Sequence, residues 1–111
     1  MRKRITIPCN SEKPYTTLEY NQTSTKIEIE ILTTEDEQRR KGYASEAVKK
    51  VQKLAITLHI PVFARVDDTK KWILELYTKL GFTEKERHQI TLGANSIGLE
   101  WYPQKNQKET E

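Results

Sequence analysis

KIEIEIL, Lys26 to Leu32, alternates apolar and polar residues at every step. A period of two is the mark of a β-strand, so it predicts Ile27, Ile29 and Ile31 on one face and Glu28, Glu30 and Leu32 on the other. Beyond it, Ala44, Ala47, Val48, Val51, Ala55 and Leu58 recur at spacings of three and four, which predicts an amphipathic helix from Ala44 to about Leu58. IPVFARV, Ile60 to Val66, is short, apolar and rich in β-branched and aromatic residues, as a buried strand is. Lys26 to Val66 is therefore a strand, helix, strand unit whose strands can run parallel through a right-handed crossover.

Outward from this unit, RITIPC and YTTLEY have strand composition, and NSEKP between them reads as a turn, which gives an N-terminal hairpin. A second helix is expected from about Thr69 to Leu80. Asp67, Asp68 and Thr69 offer capping groups before it, Trp72, Ile73, Leu76, Tyr77 and Leu80 form its apolar face, and Gly81 stops it. Phe82 reopens extended structure, and SIGLEWYP supplies a last strand after the LGAN turn. The expected class is α+β: one domain over residues 1–103, with a mixed, mostly antiparallel sheet and two main helices packed on it. QKNQKETE, residues 104–111, reads as a polar tail.

The 111 residues suffice for one modest core. With 19 basic and 16 acidic residues, the net charge of +3 gives weak support to nucleic-acid or anionic-membrane binding. No apolar run reaches membrane-spanning length, so no membrane partner is expected. Cys9 is the single cysteine. It excludes an intrachain disulfide, fits a cytoplasmic, reducing compartment, and is expected as a buried structural thiol. His59 and His88 lie apart from clustered carboxylates, so no metal site is expected; surface or helix-end positions suit both.

Within EQRRKGYASEA, Glu37 to Ala47, three cations stand at the start of the first helix, where unpaired N–H groups already make the potential positive. The arrangement points to a missing anion. Gly42 would let a phosphate approach the backbone, Ala44 keeps the first turn narrow, and Arg39, Arg40 and Lys41 add charge. The stretch matches neither the G-x-x-x-x-G-K-[ST] nor the G-x-G-x-x-G nucleotide loops.

These residues resemble the GNAT superfamily of N-acetyltransferases. Arg39, Gly42 and Ala44 fit its [QR]-x-x-G-x-[GA] signature between a strand and a helix, and LYTKLGF, Leu76 to Phe82, resembles its second element. The resemblance covers roughly Lys26 to Phe82. It implies an acetyl-CoA pyrophosphate site at Arg39, Arg40, Lys41, Gly42, Tyr43 and Ala44, and a pantetheine arm against the backbone of Leu32, Thr33 and Thr34. Lys70 stands where many members place an asparagine that contacts the cofactor or backbone. By the same resemblance, Tyr77 would aid departure of the CoA thiolate.

An alkylammonium acceptor has a pKa of about 10.4, so a base or ordered water must take a proton before it attacks the thioester. Glu28 and Glu30 on the polar strand face are the candidates, and family position favours Glu28. The leading reading is direct acetyl transfer from acetyl-CoA to an amine on a small molecule or protein. The second is a non-catalytic acyl-CoA-binding or interaction protein of the same fold. A nucleic-acid-binding domain ranks last, since the strands lack a stacking-aromatic pattern. The family's N-terminal helical region has no counterpart here, which implies an open acceptor cleft or one completed by a second copy in a homodimer.

Overall fold

A computed structural model describes residues 2–9, 12–35 and 41–103. The alternating segments become strands and the two periodic segments become helices. In chain order these are β1 (Arg2–Ile7), β2 (Thr16–Gln22), β3 (Ile27–Thr34), α1 (Tyr43–Leu58), β4 (Val62–Asp67), α2 (Lys71–Lys79), β5 (Thr83–Thr91) and β6 (Ala94–Trp101). They form one six-stranded sheet in the order β1-β2-β3-β4-β6-β5. Among the described residues only β3 and β4 pair in parallel; the other pairings are antiparallel. The N-terminal hairpin, the crossover unit and a second, C-terminal hairpin thus all form.

One face of the sheet carries the core. Leu18, Ile27, Val62 and Ile97 are fully or almost fully buried there, beside Ala47, Val48, Val51 and Ala55 of α1. Burying a side chain of this size contributes about 1.5–3 kcal/mol, so the stripe and the sheet face stabilise each other. Gln52 interrupts the α1 stripe and is nonetheless buried, because its amide donates to the Leu80 carbonyl at 2.8 Å and ties α1 to the end of α2. Leu58, expected on the stripe, is 39% exposed at the end of the helix. His59 follows as the left-handed C-cap residue, and its N–H is directed to the Ala55 and Ile56 carbonyls. The opposite face of the sheet is polar, with Arg2 and Arg4 both on Glu19.

Three local expectations change. The strict alternation of KIEIEIL breaks at a β-bulge: Glu19 faces Ile31 and Tyr20 faces Ile29, leaving Glu30 as the extra residue. Beyond it the faces exchange, so Ile31 is 41% exposed and Leu32 only 9%. The acidic pair before α2 makes no side-chain cap on the helix. Asp67 instead accepts from the Thr69 N–H and hydroxyl, both at 2.9 Å. Asp68 accepts from the Asn95 N–H and side-chain amide, which hold its carboxyl below the usual range. Cys9 is exposed, not buried, because it lies past the end of β1, outside the apolar cluster.

Gly81 ends α2 with φ +98°, and a Cβ there would come within 3.2 Å of the Trp101 indole nitrogen. Gly81→Ala should therefore lower unfolding free energy by about 1–2 kcal/mol, from left-handed backbone strain and this contact. Urea denaturation measures it, and an unchanged midpoint would contradict this role for Gly81.

Candidate functional site: a passage through the sheet

β3 and β4 pair only from Ile27–Val62 to Ile29–Ala64. Past that point each strand follows its other neighbour. β3 stays with β2, where the buried Thr16 and Thr34 hydroxyls bond at 2.8 Å and the Glu35 N–H donates to the Tyr15 carbonyl at 2.9 Å. β4 stays with β6 through Arg65–Gly98, Val66–Ile97 and Asp67–Ser96. The strands therefore part, and the β3 edge toward β4 has no strand partner from Glu30 to Thr34. Unpaired backbone groups of this kind are available to an extended ligand.

The gap holds a cleft of about 290 Å³ walled by Leu32, Thr33, Thr34, Lys70, Trp72 and Tyr77, among others. On the helix side it adjoins a cleft of about 670 Å³, and Thr34 and Trp72 line both. Gly42, Tyr43, Ala44 and Ser45 of the α1 start form one wall of this larger cleft, and Leu76 and Lys79 belong to its α2 wall. On the polar side the gap adjoins a groove of about 370 Å³, with Ile29, Glu30 and Arg65 shared. The three spaces adjoin one another in a row from the helix side of the sheet to its polar face.

At the helix end of this row, Gly42 is the N-cap of α1, with φ +86° and no side-chain cap bond. The first-turn N–H groups, with the positive end of the 16-residue helix behind them, suit an anion. An added Cβ at Gly42 would meet nothing within 4 Å, so backbone conformation rather than space selects glycine. Tyr43 stacks on Tyr15 at 5.0 Å, which braces this turn. Lys41 is exposed beside it. Arg39 and Arg40 lie outside the described residues.

Tyr77 is 2% exposed, and its ring packs on Phe82 at 4.9 Å. No described residue hydrogen-bonds its hydroxyl, yet among the described residues no enclosed side-chain polar atom lacks a partner, so the hydroxyl meets the cleft. Burial pushes the phenol well above its ordinary pKa, which keeps it a proton donor. Lys70 caps α2 and reaches the same cleft. Both candidate glutamates lie along the polar groove: Glu28 pairs with Lys26 at 3.6 Å, whereas Glu30 pairs with Arg2 and alone of the two also lines the gap.

Sequence reasoning passed over three groups here. Trp72 was expected in packing, but it is half-buried and walls two clefts. Arg65 and Phe63 were absorbed into an apolar strand; their alternation with Val62, Ala64 and Val66 was the signal that both face the other side of the sheet. Glu86, placed over the groove by a bulge in β5, left no sequence signal.

A model of the FR47-like protein family matches residues 13–90. No curated protein matches the chain. Solved structures do. An acetyltransferase from Bacillus cereus ATCC 14579 superposes with a TM-score of 0.79 at 14% identity, covering 92% of this chain and 73% of that one. The ribosomal-protein-S18-alanine N-acetyltransferase from Escherichia coli gives 0.74 at 13% identity, covering 85% and 64%. A GNAT family acetyltransferase from Elizabethkingia anophelis with acetyl-CoA bound gives 0.69 at 13% identity, covering 83% and 71%. At such identities these structures speak to the fold, and the family match spans most of the chain. The chain belongs to the FR47-like family and has the fold of the GNAT superfamily of N-acetyltransferases.

Proposed function

We propose that this protein is an acetyl-CoA-dependent N-acetyltransferase that transfers the acetyl group directly to an amine. The observation that carries the reading is the row of three adjoining clefts along the β3–β4 gap, with a helix start suited to an anion at one end and two carboxylates at the other. Two similar folds, the Elizabethkingia anophelis enzyme with acetyl-CoA and the NatC complex with CoA, were solved with that type of ligand bound. The larger cleft on the helix side has room for the nucleotide end of CoA. The acceptor amine would belong to a small molecule or a protein. Among the described residues no helix is long and apolar enough to cross a membrane. A lone cysteine, exposed and unpaired, fits action in the cytoplasm.

Each residue then has a distinct task. The amides after Gly42 receive the pyrophosphate, with Arg39, Arg40 and Lys41 adding charge and Tyr43 and Ala44 shaping the turn. The open β3 edge at Leu32, Thr33 and Thr34 pairs with the amides of the pantetheine arm, while Lys70 and Trp72 close the gap around it. The acceptor approaches from the polar groove. Glu30, shared by groove and gap, takes the ammonium proton directly or through water; Glu28 lies farther along the groove. Tyr77 steadies the departing sulfur. Even an unperturbed phenol of pKa about 10 would lose roughly 2 kcal/mol in protonating a thiolate of pKa about 8.5, and burial makes the transfer harder still. The hydroxyl therefore acts by donating a hydrogen bond.

Saturating acetyl-CoA should raise the thermal midpoint, because a ligand that binds only the native state stabilises it by RT ln(1 + [L]/Kd). No shift would sink the cofactor reading. Gly42→Val should weaken CoA binding more than Lys41→Gln, since a β-branched residue at φ +86° disturbs the whole helix start; the reverse order in a titration would contradict the backbone cradle. Tyr77→Phe should lower kcat for thiol release about 10- to 1,000-fold while leaving CoA affinity nearly unchanged. Equal turnover would remove Tyr77 from the chemistry. The buried phenol also sets a pH dependence. The folded protein keeps a proton that the unfolded chain releases near pH 10, so this contribution is intact below about pH 10 and lost as pH rises further. Alkaline unfolding of Tyr77→Phe should show a shallower loss with pH than wild type, and identical slopes would contradict the burial effect.

A further inference from the structure

The charges lining the polar groove differ from one side to the other, with Glu30 already paired to Arg2 and Lys85 3.9 Å from Glu100. On the β3 side Glu30 stands at the gap, with Glu28 and its partner Lys26 farther along. Across the floor, Arg65 of β4 also reaches the gap, and Lys85 of β5 lines the same groove, 4.8 Å from the centre of the Phe63 ring. Lys26 also lies over this ring, 5.7 Å from its centre, so Phe63 is an aromatic floor approached by a lysine from each side of the groove.

Arg65 is held in place. Its Nη2 donates to Glu86 Oε1 at 2.7 Å and its Nη1 to Ser96 Oγ at 3.2 Å. Glu86 reaches it by lying flat over Gly98, where an added Cβ would come within 2.8 Å of Glu86 Cγ. The Arg65 guanidinium, helped by His88 Nε2 at 3.0 Å, holds the Glu86 carboxyl below its usual range, so the brace remains charged. A guanidinium has five N–H donors, and those not used by Glu86 and Ser96 are available to an anionic ligand.

We propose that the acceptor is a zwitterion: an amine that also carries a carboxylate, with its ammonium toward Glu30, its carboxylate on Arg65 and Lys85, and its apolar part over Phe63. The inference rests on the acetyltransferase reading above and narrows its acceptor class. A diamine is disfavoured by the same geometry, because its second cation would meet Arg65 and Lys85 in place of a carboxylate. An amide in place of the carboxylate loses the charge-assisted contact while keeping the amine and the apolar part.

The test uses the full chain with acetyl-CoA and three classes of probe: leucine and phenylalanine, their amides, and putrescine. The free amino acids should be preferred in kcat/KM by about tenfold or more, as expected for a site built to recognise a charged group. Arg65→Gln should erase that preference by raising KM for the free acids alone, and Arg65→Lys should restore part of it. With CoA bound, the free acids should also raise the thermal midpoint where the amides do not, a readout that needs no turnover. Amides or putrescine used as well as the acids, an equal loss for every probe in Arg65→Gln, or no preference in either readout would overturn the proposal. If acetyl-CoA itself still raises the midpoint, such a result leaves the cofactor reading standing; if it does not, that reading fails first.

Discussion

The parting of β3 from β4 after Ile29 and Ala64 is the constraint on which the rest of the site depends. Two adjacent parallel strands ordinarily remain paired, because unpaired backbone groups are costly where water is excluded. Here the pairing ends beside the bulge at Glu30, which bends the strand and sharpens its twist. Bonds on the outer sides then hold the two halves apart: Thr16 to Thr34 for β3, and the β6 ladder followed by Asp68 and Asn95 for β4. The opening is built from hydrogen bonds made elsewhere.

Several other features follow from that opening. Trp72 and Leu76 on the apolar face of α2 pack against the core and stay partly uncovered where they wall the clefts. Tyr77 is almost fully buried against Phe82 and still lines the gap, which combines a packed ring with a hydroxyl at the cleft. On the polar face the opening adjoins a surface carrying Arg65, Glu86 and Phe63.

Much of the fold was legible because periodicity reports burial. KIEIEIL, the α1 stripe and IPVFARV each became the expected element, and Gly81 ended α2 as its position suggested. The bulge was not legible: strict alternation of residue types cannot reveal an inserted pairing position, which is set by the partner strand. The same limit applied to Asp67 and Asp68, whose partners lie in the turn and in β6. Cys9 was misjudged because residue type carries only a tendency, and position past the strand end decided its exposure. Of the candidate site, the helix start and Tyr77 stand in local sequence patterns and could be named from them. Arg65, Glu86 and Gly98 are linked only across three strands and could not.

The most direct measurement is amide hydrogen exchange with and without saturating CoA. If the gap is the passage for the pantetheine arm, exchange should slow at Ile31–Thr34 and at Gly42–Ser45 together, with the β1–β2 hairpin unchanged. Protection at the helix start alone, or on the β5–β6 hairpin in place of the β3 edge, would contradict it.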